Sequence, residues 1–192
     1  MRKNNSKISI VLFAYGFMGN STFQNLIKDD NFSIKGLILP KKNTLYFENI
    51  KNKFKKKKKN FYLNNKKKKF KKKTKTLYSD NKKKVHNFIK KLNPDVVIIS
   101  TFNKVLYNHT LKLSKFINIH HGKLPKQKGR ASINWAIIMG RNKIFITIHE
   151  VTPKLDSGKI IIQKKISINK NESYKMIQNK VNFFLKKNIG KI

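Results

Sequence analysis

The stretch Ile8-Ser-Ile-Val-Leu-Phe-Ala-Tyr15 decides the fold, because it is short, β-branched and apolar on both faces. Those properties are typical of a strand buried inside a parallel sheet. A turn with two glycines follows, and we expect Asn20 or Ser21 to cap a helix that runs to about Lys28. A second strand is predicted from Ile34 to Leu39. Strand, helix and strand in this order form a βαβ unit with a right-handed crossover.

The rest of the chain continues this alternation of helices and strands. The predicted elements are a helix from Lys82 to Leu92, a strand from Val96 to Ser100, a helix from about Lys104 to Ser114, a strand from Phe116 to His120, a helix from Ala131 to Met139, strands at Ile144–Val151 and Lys159–Ile168, and a helix from Glu172 to Lys187. The pattern predicts an α/β fold with a mainly parallel central sheet flanked by helices. We expect residues 1–192 to form a single domain, with its ligands beyond the carboxyl ends of the strands.

The composition is strongly basic. The 192 residues include 46 Lys and Arg against 8 Asp and Glu, for a formal net charge of +38, and nearly all the cations are lysines. A charge of this size attracts polyanions such as RNA through counterion release. The joint excess of Lys, Asn, Ile and Phe is also typical of an AT-rich coding sequence. Both interpretations of the charge stay open at this point.

Several classes of protein are excluded by composition. The chain has no cysteine, so disulfides, thiolate metal ligands and a cysteine nucleophile are ruled out. Its longest apolar runs are shorter than the roughly 20 residues that a transmembrane helix needs. No signal-peptide cleavage site follows the first apolar stretch. We therefore expect a cytoplasmic protein.

One segment, from Lys41 to Lys84, interrupts the α/β pattern with runs of lysine. The runs are Lys55–Lys59, Lys66–Lys69 and Lys71–Lys73, and the aromatic residues between them are Phe54, Phe61, Tyr62 and Phe70. Blocks of like charge are usually solvated, which favours a mobile or partly helical insertion. The alternative is an ordered platform on which the aromatic rings stack with RNA bases.

The candidate chemistry lies in the stretch Asn118-Ile-His120-His-Gly-Lys-Leu-Pro125. Asn118 and His120 are two positions apart on a predicted strand, so their side chains project from the same face. An amide N–H and an imidazole placed together can bind a carbonyl oxygen and stabilise negative charge on it. The imidazole can also transfer a proton near neutral pH.

A carboxylate, Asp156, follows in the turn Lys154-Leu-Asp-Ser-Gly158 between two predicted strands. It is one of only eight acidic residues, which makes its position notable. The residues alone leave two interpretations, a catalytic carboxylate or a side chain that caps its own turn. A metal site with His120, His121 and Asp156 is disfavoured, since adjacent histidines on a strand face opposite ways.

These motifs together resemble the 10-formyltetrahydrofolate-dependent formyltransferases. The resemblance rests on Asn118-x-His120-x-x-x-Leu124-Pro125, Gly129-Arg130-Ala131 with Asn134-Trp135, and Leu155-Asp156-Ser157-Gly158. It implies a Rossmann-like fold and a catalytic trio formed by Asn118, His120 and Asp156. It also implies that 10-formyltetrahydrofolate binds between the sheet and the loop from Ser100 to Leu106. The residues that would contact the folate are Phe102, Val105, Leu106, Leu124 and Pro125.

The identity of the amine that accepts the formyl group follows less directly from the resemblance than the catalytic trio does. In the branch that acts on initiator methionyl-tRNA, a basic insertion follows the second strand, where this chain has Lys41–Lys84. Tyr15-Gly-Phe-Met-Gly19 and the residues around Trp135 resemble the sugar-amine branch instead. The length matches the glycinamide ribonucleotide enzymes, although their Gly-Ser-Asn phosphate motif is missing from the first loop. Both of the first two branches normally carry a C-terminal domain, which we expect this chain to lack.

We expect formylation of initiator methionyl-tRNA, as a step of translation initiation, with methionyl-tRNA and folate as the partners. A nucleotide-linked amino sugar and glycinamide ribonucleotide are the alternative acceptors. A non-enzymatic alternative is a decayed formyltransferase that persists as a basic RNA-binding module. Three separated polar residues, Asn118, His120 and Asp156, favour the enzyme, because relaxed selection would be expected to lose at least one of them.

Overall fold

The structure, a computed structural model, describes residues 7–40, 74–102, 104–129 and 132–191. The lysine runs and aromatic residues predicted to form an insertion between 41 and 73 lie outside these ranges. Asn103, Arg130 and Ala131 lie outside them as well. Among the described residues, no helix combines the length and the apolar character needed to cross a membrane.

Strands and helices alternate along the chain as the sequence predicts. The strands are β1 (Ile8–Ala14), β2 (Phe32–Leu39), β3 (Lys75–Tyr78), β4 (Val96–Ser100), β5 (Lys115–His120), β6 (Lys143–Glu150) and β7 (Ile160–Ser167). The helices are α1 (Gly16–Leu26), α2 (Lys82–Leu92), α3 (Asn108–Leu111), α4 (Ser132–Ile138) and α5 (Tyr174–Asn188), and a 3₁₀ turn follows at Ile189–Lys191.

The seven strands form one sheet in the order β3-β2-β1-β4-β5-β6-β7. The first five in this order are parallel to one another, β6 runs antiparallel to β5, and β7 runs antiparallel to β6. The predicted mainly parallel, Rossmann-like α/β fold is therefore confirmed. The parallel arrangement brings the carboxyl ends of β1, β4 and β5 to the same edge of the sheet, where ligands bind in such folds.

Strand β1 lies at the centre of the sheet and contributes to both hydrophobic cores. Ile10 and Leu12 pack in the core under α1 and α5, while Val11 and Phe13 pack in the core under α2. All four are completely buried. Burying each such side chain contributes about 1.5–3 kcal/mol, so this short strand is a large part of the stability.

The predicted cap of the first helix is wrong. Helix α1 begins at Gly16, and its cap residue Tyr15 makes no side-chain capping hydrogen bond. Ser21 lies inside the helix, where its hydroxyl bonds to the amide of Asn182 on α5. The helix can begin so early because Gly19 packs directly on β1. A Cβ atom at position 19 would overlap the carbonyl carbon of Ala14.

Two further predictions differ from the structure. The helix predicted from Lys104 to Ser114 is reduced to the single turn α3, because Leu106 is drawn into the core and the chain before it runs along a cavity. The sequence pattern also does not predict strand β3 inside the segment Lys41–Lys84. It is a mostly exposed edge strand, so it lacks an apolar pattern, and it depends on parallel pairing with residues 36–39 of β2.

Candidate active site

The sequence-predicted trio converges on one cavity at the carboxyl end of β5. Asn118 and His120 project from β5, and Asp156 enters from the loop between β6 and β7. His120 Nδ1 lies 3.7 Å from Asp156 Oδ2, and Asn118 Nδ2 donates to Asp156 Oδ1 at 3.4 Å. The side chains of His120 and Asp156 are only 6% and 7% exposed. The cavity has a volume of about 540 Å³.

Local backbone geometry places Asp156 in this cavity. Its φ of 46° is in the left-handed region, which Asp tolerates better than most residues. Two residues later, Gly158 lies so close to β6 that a Cβ atom there would overlap the carbonyl oxygen of Glu150. The backbone N–H of Gly129 donates to Asp156 Oδ2 at 2.8 Å and fixes the carboxylate from the other side.

The ring of His120 is held between a carbonyl and a carboxylate. Its Nε2 atom lies 2.5 Å from the backbone oxygen of Gln127, which can only accept, so Nε2 carries a proton. In the neutral ring the lone pair is then on Nδ1, and Nδ1 faces Asp156. A proton that arrives at Nδ1 is therefore placed beside a buried carboxylate. This arrangement suits a general base.

His149 on β6 is a fourth polar residue of the site, and no motif in the sequence marks it. Its Nδ1 donates to the carbonyl of Glu150 at 2.7 Å, which leaves Nε2 as an acceptor in the neutral ring. The Asn118 amide nitrogen lies 3.1 Å from Nε2, so His149 fixes which way the amide points. His149 is 2% exposed and lies opposite Asn118 in the antiparallel register of β5 and β6.

The site keeps Asp156 ionised. Burial raises the pKa of this carboxyl, but a protonated His149, the Gly129 N–H and a protonated His120 outweigh burial, and the pKa lies below its ordinary value. His121 is instead kept in its neutral form. Burial, reinforced by repulsion from His120, lowers the pKa of His121 to about 4. Its Nε2 atom is buried and has no hydrogen-bond partner among the described residues.

The apolar wall of the cavity is built by the loop after β4. Phe102, Val105 and Leu106, which the resemblance implies as folate contacts, all line the cavity. Phe102 is held by the ring of Phe13, with centroids 4.7 Å apart, and by an edge contact with Tyr15 at 5.5 Å. Val105 is half exposed, which leaves it free to contact a ligand.

The two other residues that the resemblance implies for the folate lie elsewhere. Leu124 and Pro125 are not among the described residues that line the cavity. Leu124 is 4% exposed, and its carbonyl accepts a hydrogen bond from Gln163 of β7 at 3.0 Å. Leu124 therefore anchors the loop between β5 and α4. In the described part of the chain no group of three or more histidine, aspartate or glutamate side chains is arranged to hold a metal ion.

Fold and site together define an α/β enzyme domain whose cavity combines an amide, an imidazole and a buried carboxylate. The formyl transferase family model matches residues 35–190, so the chain belongs to that family and is an enzyme of the formyltransferase class. The chain is 35% identical over 95 residues to the methionyl-tRNA formyltransferase of Ehrlichia ruminantium, which covers 48% of this chain and 31% of that protein. The chain thus spans about a third of the length of this relative.

Two further similarities are informative. The bifunctional polymyxin resistance protein ArnA of Wigglesworthia glossinidia brevipalpis is 32% identical over 97 residues, which are 50% of this chain and 15% of that protein. The crystal structure of phosphoribosylglycinamide formyltransferase from Bacillus halodurans superposes with a TM-score of 0.67 at 18% identity, covering 93% of this chain and 90% of that one. At that identity the structural match establishes the fold alone.

Proposed function

We propose that this chain transfers the formyl group of 10-formyltetrahydrofolate to the amino group of methionyl-tRNA, as a step of translation initiation. The observation that carries the proposal is the convergence of Asn118, His120 and Asp156 in one cavity at the carboxyl end of β5. The similarity of half of the chain to methionyl-tRNA formyltransferases supports this acceptor.

The cavity fits a folate. Its volume of about 540 Å³ is within the usual range of roughly 300–1,000 Å³ for small-molecule sites. One wall is apolar, from Phe102, Val105 and Leu106, and suits a flat ring system. Asn118, His120 and Asp156 line the same cavity, so a ligand that packs on the loop can present its reactive group to the trio. When bound, the folate supplies the activated formyl group.

Each residue of the trio has a separate task. The Asn118 amide has one N–H directed to His149 at 3.1 Å and one held loosely by Asp156 at 3.4 Å. The loosely held N–H is the one that can turn to a carbonyl oxygen in the cavity. A donor aimed at developing negative charge contributes about 3–4 kcal/mol to the reaction.

Proton transfer is assigned to His120 and Asp156. Nε2 of His120 is occupied by the Gln127 carbonyl, so the proton lost by an attacking amine is taken up at Nδ1. Asp156 lies 3.7 Å from that nitrogen and stabilises the imidazolium that forms. General base catalysis of this kind contributes about 100- to 10,000-fold.

Basic residues beside the cavity support a polyanionic acceptor. Gly129 and Leu155 line the cavity, and their neighbours Lys128 and Lys154 are exposed. Lys128 Nζ donates to the hydroxyl of Ser157 at 3.1 Å, which holds this cation at the cavity rim. Lysines at such a rim attract phosphates of a nucleic acid and steer it to the site.

A nucleotide-linked amino sugar is the second candidate acceptor. The residues Tyr15-Gly-Phe-Met-Gly19 and those around Trp135, which resemble the sugar-amine branch of the family, favour it. Such an acceptor carries only a few phosphates, so its binding would depend far less on salt than the binding of a tRNA.

The test is a formyl-transfer assay that offers methionyl-tRNA, a nucleotide-linked amino sugar and glycinamide ribonucleotide in parallel. We expect transfer to methionyl-tRNA, and Asp156→Asn should reduce its rate by about 100-fold or more. Preferred transfer to the sugar would replace the proposed acceptor. Near-normal activity of Asp156→Asn, in a folded protein, would remove the assigned catalytic role.

A further inference from the structure

A second surface feature lies apart from the catalytic cavity, in the groove between β7 and α5. It has a volume of about 570 Å³ and shares no lining residue with the catalytic cavity. The edge strand contributes Lys165, Ile166 and Ser167, and the helix contributes Phe183 and Lys187. The groove is therefore an apolar trough with cations on both sides.

Packing in the core does not account for Phe183. The buried stripe of α5 consists of Ile177, Val181, Phe184 and Leu185. Phe183 lies off this stripe and is 59% exposed, although a Phe ring is costly to leave in water. The ammonium of Lys187 lies 4.4 Å from the centre of its ring. An exposed ring with a cation over it is a surface on which a nucleobase can stack.

The charge of the groove is positive. Lys165 and Lys187 are exposed. The third cation, Lys180, pairs with Glu172 and also donates to the carbonyl of Ser167 at 2.8 Å. Glu172 is only 10% exposed, so its charge is covered. A second copy of this chain is a poor occupant, because each copy carries a net charge of +38.

We propose that the β7–α5 groove binds single-stranded RNA, with a base stacked on Phe183 and phosphates bound by Lys165 and Lys187. The proposal rests on the proposed function for the identity of the RNA, which would be the single-stranded end of the tRNA acceptor arm. Tyr174, the first residue of α5, lines the catalytic cavity. Phe183 lies nine residues further along the same helix, about 14 Å along its axis.

The probe is a fluorescein-labelled single-stranded RNA oligonucleotide, and its binding to the full chain is followed by anisotropy. Phe183→Ala should weaken binding by about five- to a hundredfold, whereas Phe183→Trp should retain it, because stacking needs only an aromatic face. The double variant Lys165→Gln/Lys187→Gln should also flatten the dependence of log K on log salt by about 1.4, since each phosphate that is no longer neutralised reduces the slope by about 0.7.

The matched control is Lys83→Gln/Lys91→Gln. It removes the same charge from exposed positions on α2, which packs on the other face of the sheet. An equal loss of affinity in both double variants would show that net charge alone attracts the RNA, and would overturn the proposal. A lysine effect with identical binding by Phe183→Ala and Phe183→Trp would also overturn it, and would favour an acidic protein partner.

The same variants separate this inference from the proposed function. If wild-type protein formylates methionyl-tRNA and the groove variants keep its KM, the inference fails while the proposed function stands. If wild-type protein binds RNA through Phe183 but formylates only an amino sugar, the groove stands and the acceptor assignment fails. Unchanged thermal unfolding of each variant excludes loss of the fold as the cause.

Discussion

Acidification from pH 7 to pH 5 should destabilise this protein through one half-buried histidine, His121. His121 is kept neutral in the folded chain, since burial and the neighbouring His120 lower its pKa to about 4 from an ordinary 6.5. Between these two pKa values the His121 imidazole is protonated in the unfolded chain and neutral in the folded chain. The free energy of unfolding must then fall as the pH falls. Above pH 6.5 the imidazole is neutral in both states and has no such effect.

The size of the effect follows from the two pKa values of His121. Linkage gives about 2 kcal/mol of lost stability at pH 5 and almost none at pH 7. A loss of this size is a substantial share of the roughly 5–15 kcal/mol that holds a typical domain folded. The carboxylates with lowered pKa values, including Asp156, still support the fold at pH 5, because their contribution is lost only below their ordinary values.

The predicted loss of stability on acidification is tested by urea unfolding at pH 8, 7, 6 and 5. Wild-type protein is compared with His121→Asn, which keeps a polar side chain but cannot bind the proton. The difference in unfolding free energy between the two proteins should change by about 2 kcal/mol from pH 7 to pH 5, and not at all from pH 8 to pH 7. Parallel pH profiles of the two proteins would refute the reasoning. Titrating groups that do not interact with His121 are common to both proteins and cancel.

Three further predictions concern the residues that hold the site. Gly158→Ala should cost about 1–3 kcal/mol in urea unfolding and also lower kcat, because the new methyl meets the Glu150 carbonyl and displaces the loop between β6 and β7 that carries Asp156. Tyr15→Phe removes the hydrogen bond from the Tyr15 hydroxyl to the Ser79 carbonyl at 3.2 Å. Because the ring of Tyr15 contacts Phe102 in the loop after β4, calorimetry should show weaker binding of a folate analogue. Normal binding by this variant would show that the Tyr15 hydroxyl does not help to position that loop. His149→Phe should lower kcat without changing the Kd for that analogue, since it frees the Asn118 amide.

Most of the fold could be predicted from the sequence because apolar runs such as β1 signal buried strands directly. Helix α2 has its predicted bounds, Lys82–Leu92, where apolar Val85 and Ile89 alternate with lysines at helical spacing. Strand β3 could not be predicted this way. Its side chains are mostly exposed, and only its pairing with β2 makes it a strand.

The same distinction applies to the candidate site. Asn118 and His120 share a face of one strand, so strand geometry alone brings them together. The approach of Asp156 is implied by family resemblance, and the structure places it 3.7 Å from His120. His149 could not be found because its role depends on the register of β6 against β5, which the sequence does not encode locally. The resemblance implies that Leu124 contacts the folate. In the structure its carbonyl accepts a hydrogen bond from Gln163, which anchors the loop between β5 and α4.

The few acidic residues in the described part of the chain each make specific hydrogen bonds or ion pairs. Asp95 accepts from both the N–H and the hydroxyl of Ser9 at 2.7 Å, and Asp80 holds Lys104 of the cavity loop at 3.0 Å. Asp156 is held by a backbone N–H and lies against two imidazoles. Its pKa lies below the ordinary value of 3.8, so it is ionised throughout the range from pH 5 to pH 7. A fall in activity over that range therefore cannot arise from protonation of Asp156. It must arise from another group or from the acid-induced loss of stability assigned to His121, and His121→Asn separates these two causes.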